Sequence, residues 1–225
     1  MKETLKQDLP VDSLEEAILN PEVTDVLKDY AEIGLDDFIK LNEIDVSADV
    51  PIVKSGLAVI KLGKSIHDWF NFRKKIAFLN TLNAGTVDSK ELQKRREAAY
   101  SSDKQKRKWF EKEVETICIY LDRCNDEKKC EIQAKLYVAL INRNITFNEF
   151  TSYLQILESL LIADYDQLYL IYEGNSERNQ SQCLRLQAAG LMTGMTTSFY
   201  SGTLNMGQFK ITDFGRKLCD AVGKI

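Results

Sequence analysis

The chain has 225 residues, 44% hydrophobic and 28% charged, with a net charge of −4 and a single histidine. This is an ordinary balance for a folded globular protein, long enough for one large domain or two small ones. Three prolines and eleven glycines argue against long disordered linkers and against a turn-rich all-β fold. Residues 1–6 lead into polar sequence without the apolar core of a signal peptide. The most apolar run, residues 50–66, is interrupted by Lys54, Lys61 and Lys64 and is shorter than the roughly 20 apolar residues of a membrane span. A cytoplasmic protein is the expectation.

The charge is unevenly spread. Residues 1–50 hold 14 acidic and 4 basic side chains, whereas residues 51–75 hold six basic ones (Lys54, Lys61, Lys64, Arg73, Lys74 and Lys75) against Asp68 alone. Two readings follow. The acidic segment folds back and neutralises the basic stretch, or those six cations meet an external anion such as membrane headgroups or nucleic acid.

In chain order, Asp12 and Ser13 suit the N-cap of a short helix, Leu14 to Leu19, and Asn20-Pro21 opens another. Val23, Val26, Leu27, Tyr30 and Ile33 recur at helical spacing, with a further short stripe over 35–41. Asp49-Val50-Pro51-Ile52-Val53 starts a long helix predicted to reach Leu79. Lys54, Lys61, Asp68 and Lys75, spaced by sevens, form its wet stripe, and Gly56 and Gly63 suit close packing against a neighbouring helix. Residues 83–87 read as a turn, and Asp88-Ser89-Lys90-Glu91 as a near capping box. The charged segment 89–100 reads as an exposed connector. The basic-aromatic cluster Lys104, Lys106, Arg107, Lys108, Trp109 and Phe110 is followed at once by Glu111, Glu113 and Glu115, which favours a solvated face over a nucleic-acid site.

Three core helices are expected next. Phe110, Val114, Ile117, Cys118 and Leu121 mark the first, and Ile132, Leu136, Tyr137, Ala139 and Leu140 the second. Phe150, Tyr153, Leu154, Leu157, Leu160 and Leu161 mark the third, opened by the capping box Thr146-Phe147-Asn148-Glu149. Leu168 to Tyr172 forms a short helix ended by Gly174. With Ser176 as its cap, another runs to Gly190, a natural residue for the position after a helix. Residues 191–199 and Gln208-Phe209-Lys210-Ile211-Thr212 read as a β-hairpin, and Thr212 or Asp213 caps a last helix.

The expected fold is therefore mainly α: a helical bundle followed by a small α+β unit with one β-hairpin. The expected divisions are an acidic helical segment over 1–48, a bundle over 49–163, and the small unit over 164–225.

No motif carries catalysis. The chain has no Gly-x-Gly-x-x-Gly, phosphate loop or Gly-x-Ser-x-Gly, and His67, beside Asp68, reads as a side chain at the edge of the core. Cys118, Cys124, Cys130, Cys183 and Cys219 are odd in number, match no zinc spacing and read as reduced thiols. Neither enzymatic activity nor a metal or cofactor is expected.

The order helix, helix, hairpin, helix over 164–225 resembles a winged-helix domain. The likeness rests on Leu186-Gln187-Ala188-Ala189-Gly190-Leu191 and on the phrase from Phe209 through Thr212-Asp213-Phe214-Gly215 to Leu218. That resemblance implies a contact surface for DNA or protein. Candidate nucleic-acid contacts are Arg178, Arg185 and Lys210. Six acids balance six bases in this unit, which favours protein contact or dimerisation over DNA.

The wider chain is similar to a family of uncharacterised bacterial and prophage-encoded helical proteins. The residues concerned are Asp49-Val50-Pro51-Ile52-Val53, Lys61-Leu62-Gly63-Lys64-Ser65-Ile66-His67-Asp68 and Lys74-Lys75-Ile76-Ala77-Phe78-Leu79, then Leu121-Asp122-Arg123 and Lys135-Leu136-Tyr137-Val138-Ala139-Leu140. It is loosely similar to abortive-infection proteins of the alpha type. The resemblance implies a setting of phage–host conflict without a mechanism. The expectation is a non-catalytic interaction or regulatory protein that binds a protein partner or itself. The alternatives are a DNA-binding regulator and a membrane-active effector acting through residues 50–79.

Overall fold

The computed structural model describes residues 14–19, 66–175, 177–194 and 209–225, apart from the side chains of Glu16, Ile66, His67 and Asp68. The expectations for the helices after Pro21, the stretch 49–65 with Gly56 and Gly63, the side chain of His67, the cap at Ser176 and the outer hairpin lie outside the described residues.

The described residues form nine helices and one two-stranded antiparallel sheet. The helices are α1 (Leu14–Leu19), α2 (Ile66–Ala84), α3 (Ser89–Ala99), α4 (Lys104–Arg123) and α5 (Glu127–Ile141), then α6 (Phe147–Ser159), α7 (Ile162–Tyr172), α8 (Gln180–Ala188) and α9 (Asp213–Val222). Strands β1 (Met192–Thr193) and β2 (Lys210–Ile211) lie between α8 and α9, with Met192 opposite Ile211 and Thr193 opposite Lys210. None of the described helices is long and apolar enough to cross a membrane.

Side-chain caps set most helix starts. Asp88, Asp103, Asp126, Thr146, Asn179 and Thr212 each accept a hydrogen bond from a backbone N–H of the first turn. Each such cap is worth about 1 kcal/mol. The Thr146–Glu149 capping box is complete, with both reciprocal bonds formed. The one expected at Asp88 is half formed. Its backbone N–H donates to Asn142 Oδ1 at 2.8 Å, which leaves Glu91 free to turn toward Lys94 and Arg143.

Helix α5 is the centre of the molecule. Cys130, Ile132, Ala134, Leu136, Tyr137, Ala139, Leu140 and Ile141 are all buried, because α2, α4, α6 and α9 surround the helix. Its most extensive partner is α2, which contributes Phe72, Ile76, Phe78, Leu79 and Leu82. Phe78, Tyr137 and Phe150 form an aromatic chain through this core, with ring centroids 6.4 and 5.9 Å apart. Burying each large apolar side chain is worth roughly 1.5–3 kcal/mol. At the other end α1 lies over α2 and α3, burying Ala17, Ile18 and Leu19, and Arg96 donates twice to the Leu19 carbonyl at 2.8 and 2.6 Å.

One contiguous core runs from Ala17 to Val222 and crosses the expected boundary at 163/164. Tyr153 of α6 stacks on Phe214 of α9 at 4.3 Å and donates to its carbonyl, while Tyr165 of α7 donates to the Gly223 carbonyl. The phrase Thr212-Asp213-Phe214-Gly215 has a clear physical role. Thr212 Oγ1 accepts from Gly215 N–H at 3.0 Å and donates back to the Gly190–Leu191 carbonyls. Gly215 then passes so close to Leu191 that a Cβ would lie 2.2 Å from its carbonyl oxygen.

Three expectations need correction. Leu161, expected in the core stripe of α6, lies past the end of that helix and is exposed. Helix α3 is no exposed connector, since Arg95 and Ala98 are buried on its inner face. On α4 the buried line is Phe110, Glu113, Ile117 and Leu121, whereas Val114 is only partly covered and Cys118 faces outward. Rotating the helix to bring Glu113 inward, against Arg95, turns Cys118 to the surface.

Candidate functional site

Residues of α3, α4 and the α5–α6 turn line an open cleft of about 570 Å³. Two of its lining side chains, Arg95 and Glu113, belong to a buried polar group completed by Tyr137 of α5. Arg95 donates through Nε and Nη2 to the two carboxylate oxygens of Glu113, at 2.9 and 3.1 Å, and Tyr137 Oη donates to Glu113 at 3.2 Å. The side chains of Arg95 and Glu113 are 4% and 2% exposed, so the pair is nearly dry. Burial pushes the Glu113 carboxyl up from its ordinary value, against the opposing pull of Arg95 and Tyr137. Burial also works against the Arg95 charge, but Glu113 and Tyr137 together outweigh it and leave the guanidinium above its ordinary value.

The Arg95 guanidinium lies 5.3 Å from the centre of the Trp109 ring, and Trp109 is 44% exposed at the mouth of the cleft. One part of the indole is thus held by a cation while another meets solvent. The facing wall carries Phe147, beneath the Lys112 ammonium at 5.2 Å, and Arg143.

Arg143 is the conformational outlier of the described residues, the one non-glycine at positive φ, +61°. It follows the C-cap Asn142 of α5, where Arg143 N–H reaches the Leu140 carbonyl and Asn144 N–H the Ala139 carbonyl. Glycine ordinarily fills that left-handed position. Here the arginine sends its guanidinium to Glu91 at 2.9 Å, beside Lys94 at 2.6 Å on the same carboxylate oxygen. The Lys94 hydrogen bond, with Arg143 adding to it, holds the Glu91 carboxyl below its ordinary value. Lys106 completes the mouth next to Trp109.

Of the cleft's acids, Glu91 and Glu113 are met by neighbouring cations and Glu97 accepts from Gln93 Nε2 at 3.4 Å, while its hydroxyls serve backbone caps: Ser101 accepts from Asp103 N–H, and Thr146 belongs to the capping box. Among the described residues no group of three or more His, Cys, Asp or Glu side chains is arranged to hold a metal ion.

The residues singled out from sequence fall elsewhere. Lys54, Lys61 and Lys64 lie outside the described residues. Arg73 pairs with Glu127 at 2.8 Å and lies over the Trp69 ring, and the nearly buried Lys74 donates to the Asp122 carbonyl at 2.9 Å. Lys75 is exposed and shares with Lys74 the wall of a smaller cavity of about 270 Å³. Arg178 donates to the Asn175 and Glu177 carbonyls of its own loop. Arg185 forms a bidentate pair with the buried Asp164, at 2.8 and 2.6 Å. Lys210 is exposed on β2.

Sequence reasoning missed the Arg95–Glu113–Tyr137 group. The available signal was Glu113 itself, an acid three residues after Phe110 and four before Ile117 in an apolar stripe. The chain matches no protein-family model, and comparisons with curated proteins and with solved structures returned no match.

Proposed function

We propose that this chain is a non-catalytic interaction or regulatory protein, and that its cleft between α3, α4 and the α5–α6 turn holds a segment of a partner polypeptide. The supporting observation is Arg143. A left-handed arginine costs of order 1–3 kcal/mol that glycine would not, and the cleft wall is where its side chain is used. The occupant lays an apolar side chain on the exposed part of Trp109 and a carboxylate near Lys106. The setting in this reading is bacterial phage defence or a prophage, as the sequence resemblance implies.

The same reading takes residues 164–225 as a winged-helix-like unit used for protein contact. Arg185 is committed to Asp164 and Arg178 to its own loop, so the two alternatives draw less support. A DNA contact would have to compete with those bonds. A membrane contact would have to compete with the internal bonds of Arg73 and Lys74.

A photo-crosslinking residue at position 109, in cells of the native host, tests the reading. The expected result is a discrete polypeptide adduct that weakens with Lys106→Glu and Arg143→Gly. Light scattering on the purified chain shows whether the adduct is a second copy. No adduct at 109, together with a salt-sensitive shift of DNA by the purified protein, would replace this reading with the DNA-binding one.

A further inference from the structure

A glutamate at the third position of a helix ordinarily turns back to the N–H of the cap residue. At the start of α3 that place is already filled. Asn142, the C-cap of α5, accepts from Asp88 N–H and donates to the Thr86 carbonyl, both at 2.8 Å. Glu91 is thereby released from capping and joins the lining of the cleft. Its Oε1 atom accepts from Lys94 Nζ at 2.6 Å and from the Arg143 guanidinium at 2.9 Å. One cation from α3 and one from the α5–α6 turn thus converge on a single carboxylate oxygen.

The acid is the sheltered member of this group. Glu91 is 15% exposed at its side chain, whereas Lys94 and Arg143 are 52% and 67% exposed. Arg95 and Glu113 cancel within their dry pair. Of the remaining charged residues in the lining, Glu97 is an exposed acid and Lys106 an exposed base with no acid paired to it among the described residues. The cleft therefore shows solvent three cations, Lys94, Lys106 and Arg143, against the one exposed acid, with the half-exposed Trp109 among them. A surface of this kind favours carboxylates beside an apolar side chain. Ion pairs as open as those of Glu91 are weak and exchange against another carboxylate. They do not offset the left-handed backbone of Arg143, so the internal pair is not the whole use of that side chain.

We propose, on the reading of the cleft as a polypeptide site, that the partner segment is acidic and that Glu91 is its internal competitor. A carboxylate of the partner takes the position between Lys94 and Arg143 and turns Glu91 out to solvent, while an apolar side chain of the same segment lies on Trp109. Lys106 adds to the attraction without a bond to give up. Glu91 thus holds the two cations in place in the empty cleft and lowers its affinity for the occupant. Removing this acid should strengthen binding, which a residue serving only the fold would not do.

The test is selection of a randomised peptide library, displayed on phage, against the immobilised full chain, with Trp109→Ala as the counter-selection. The expected peptides are enriched in aspartate and glutamate beside an aromatic or aliphatic residue. The most enriched one, synthesised with a fluorescein label, is then titrated by fluorescence polarisation. Glu91→Gln, which keeps the shape of the side chain, should bind it about three- to tenfold tighter than the unaltered chain at low salt, as two exposed pairs cease to compete. The gain should narrow as salt is added, and Lys94→Glu should bind more weakly. Enrichment of neutral or basic peptides that still depend on Trp109, or an affinity unchanged or reduced in Glu91→Gln, would overturn the proposal and leave the cleft a polypeptide site. A library that yields nothing dependent on Trp109 would overturn the reading of the cleft itself, and this proposal with it.

Discussion

The cleft and the C-terminal unit are each held by a bidentate arginine–carboxylate pair, Arg95–Glu113 and Arg185–Asp164, and the two differ in how much water reaches them. In the first both side chains are buried, at 4% and 2% exposure. In the second the carboxylate is buried at 1% but the arginine is 47% exposed. Hydrogen-bond geometry is nearly the same, so the difference lies in desolvation. A dry pair leaves a stranded charge when either partner is removed, whereas a half-wet pair lets one partner return to solvent. The comparison extends to Arg143–Glu91 and Lys217–Glu149, where the basic side chains are 67% and 47% exposed. Removing a partner should therefore matter less down this series.

The largest loss is expected at the dry pair. Glu113→Ala strands the Arg95 guanidinium and removes the acceptor of Tyr137, so it should cost about 3–5 kcal/mol, measured by urea unfolding. Arg95→Ala should cost a similar amount and also release Trp109, shifting its fluorescence. Replacing all three polar groups together, as Arg95→Met, Glu113→Leu and Tyr137→Phe, should cost far less than either single change. A triple variant as unstable as Glu113→Ala would show that the loss is a packing effect and not a stranded charge.

The half-wet pair should respond asymmetrically. Asp164→Asn lets Arg185 turn to solvent and should cost about 1.5 kcal/mol, the low end for a hydrogen bond to a charged group. Arg185→Ala leaves the carboxylate buried and should cost more than Asp164→Asn. Equal losses from the two changes would mean that Arg185 gains nothing from its access to water, and the contrast with Arg95–Glu113 would fail.

How far this was legible in the sequence follows from the range of each signal. The Thr146–Glu149 box, the Thr212 cap and the turn at Gly190 are local, so a few residues state them, and the structure forms each one. The phrase Thr212 to Gly215 was legible as a pattern, but its reason was not. It depends on Leu191, more than 20 residues earlier, lying against Gly215. Arg95 and Glu113 each sit in a charged neighbourhood and look solvated until two helices bring them together across 18 positions. Burial of most of α5, which after its first two residues leaves only the stripe of Glu131, Lys135 and Val138 part-exposed, was hidden likewise, because periodicity reports a face and not the number of neighbours around a helix. The cleft inherits that opacity, since Arg143 is on its wall only through a backbone conformation that glycine usually takes.

Arg143 gives the one change in the series expected to stabilise. Its pair with Glu91 is open to water, and the left-handed backbone works against it. Arg143→Gly removes the strain, offset in part by the greater freedom of glycine in the unfolded chain, for a net gain of about 1 kcal/mol. The same variant should give weaker crosslinking from position 109. Stabilisation with unchanged crosslinking would remove Arg143 from the recognition surface.

The smallest effect belongs to Lys217–Glu149, which ties α9 to the start of α6 at 2.6 Å. The Lys217 hydrogen bond, followed by the backbone N–H of Thr146, brings the Glu149 carboxyl down to about 2 from its ordinary 4.5. A carboxyl with a depressed folded value favours the native state while it is ionised. Its contribution is therefore complete above about pH 4.5 and lost as the pH falls through about 2. Because the pair is exposed, Lys217→Met should cost only about 0.2–1 kcal/mol at neutral pH. The gap between the two unfolding curves should close across that acid window as Glu149 takes up its proton. A gap that persists below pH 2 would come from the lysine stem packing on its neighbours, and the charge would then have no part in joining the C-terminal helix to the bundle.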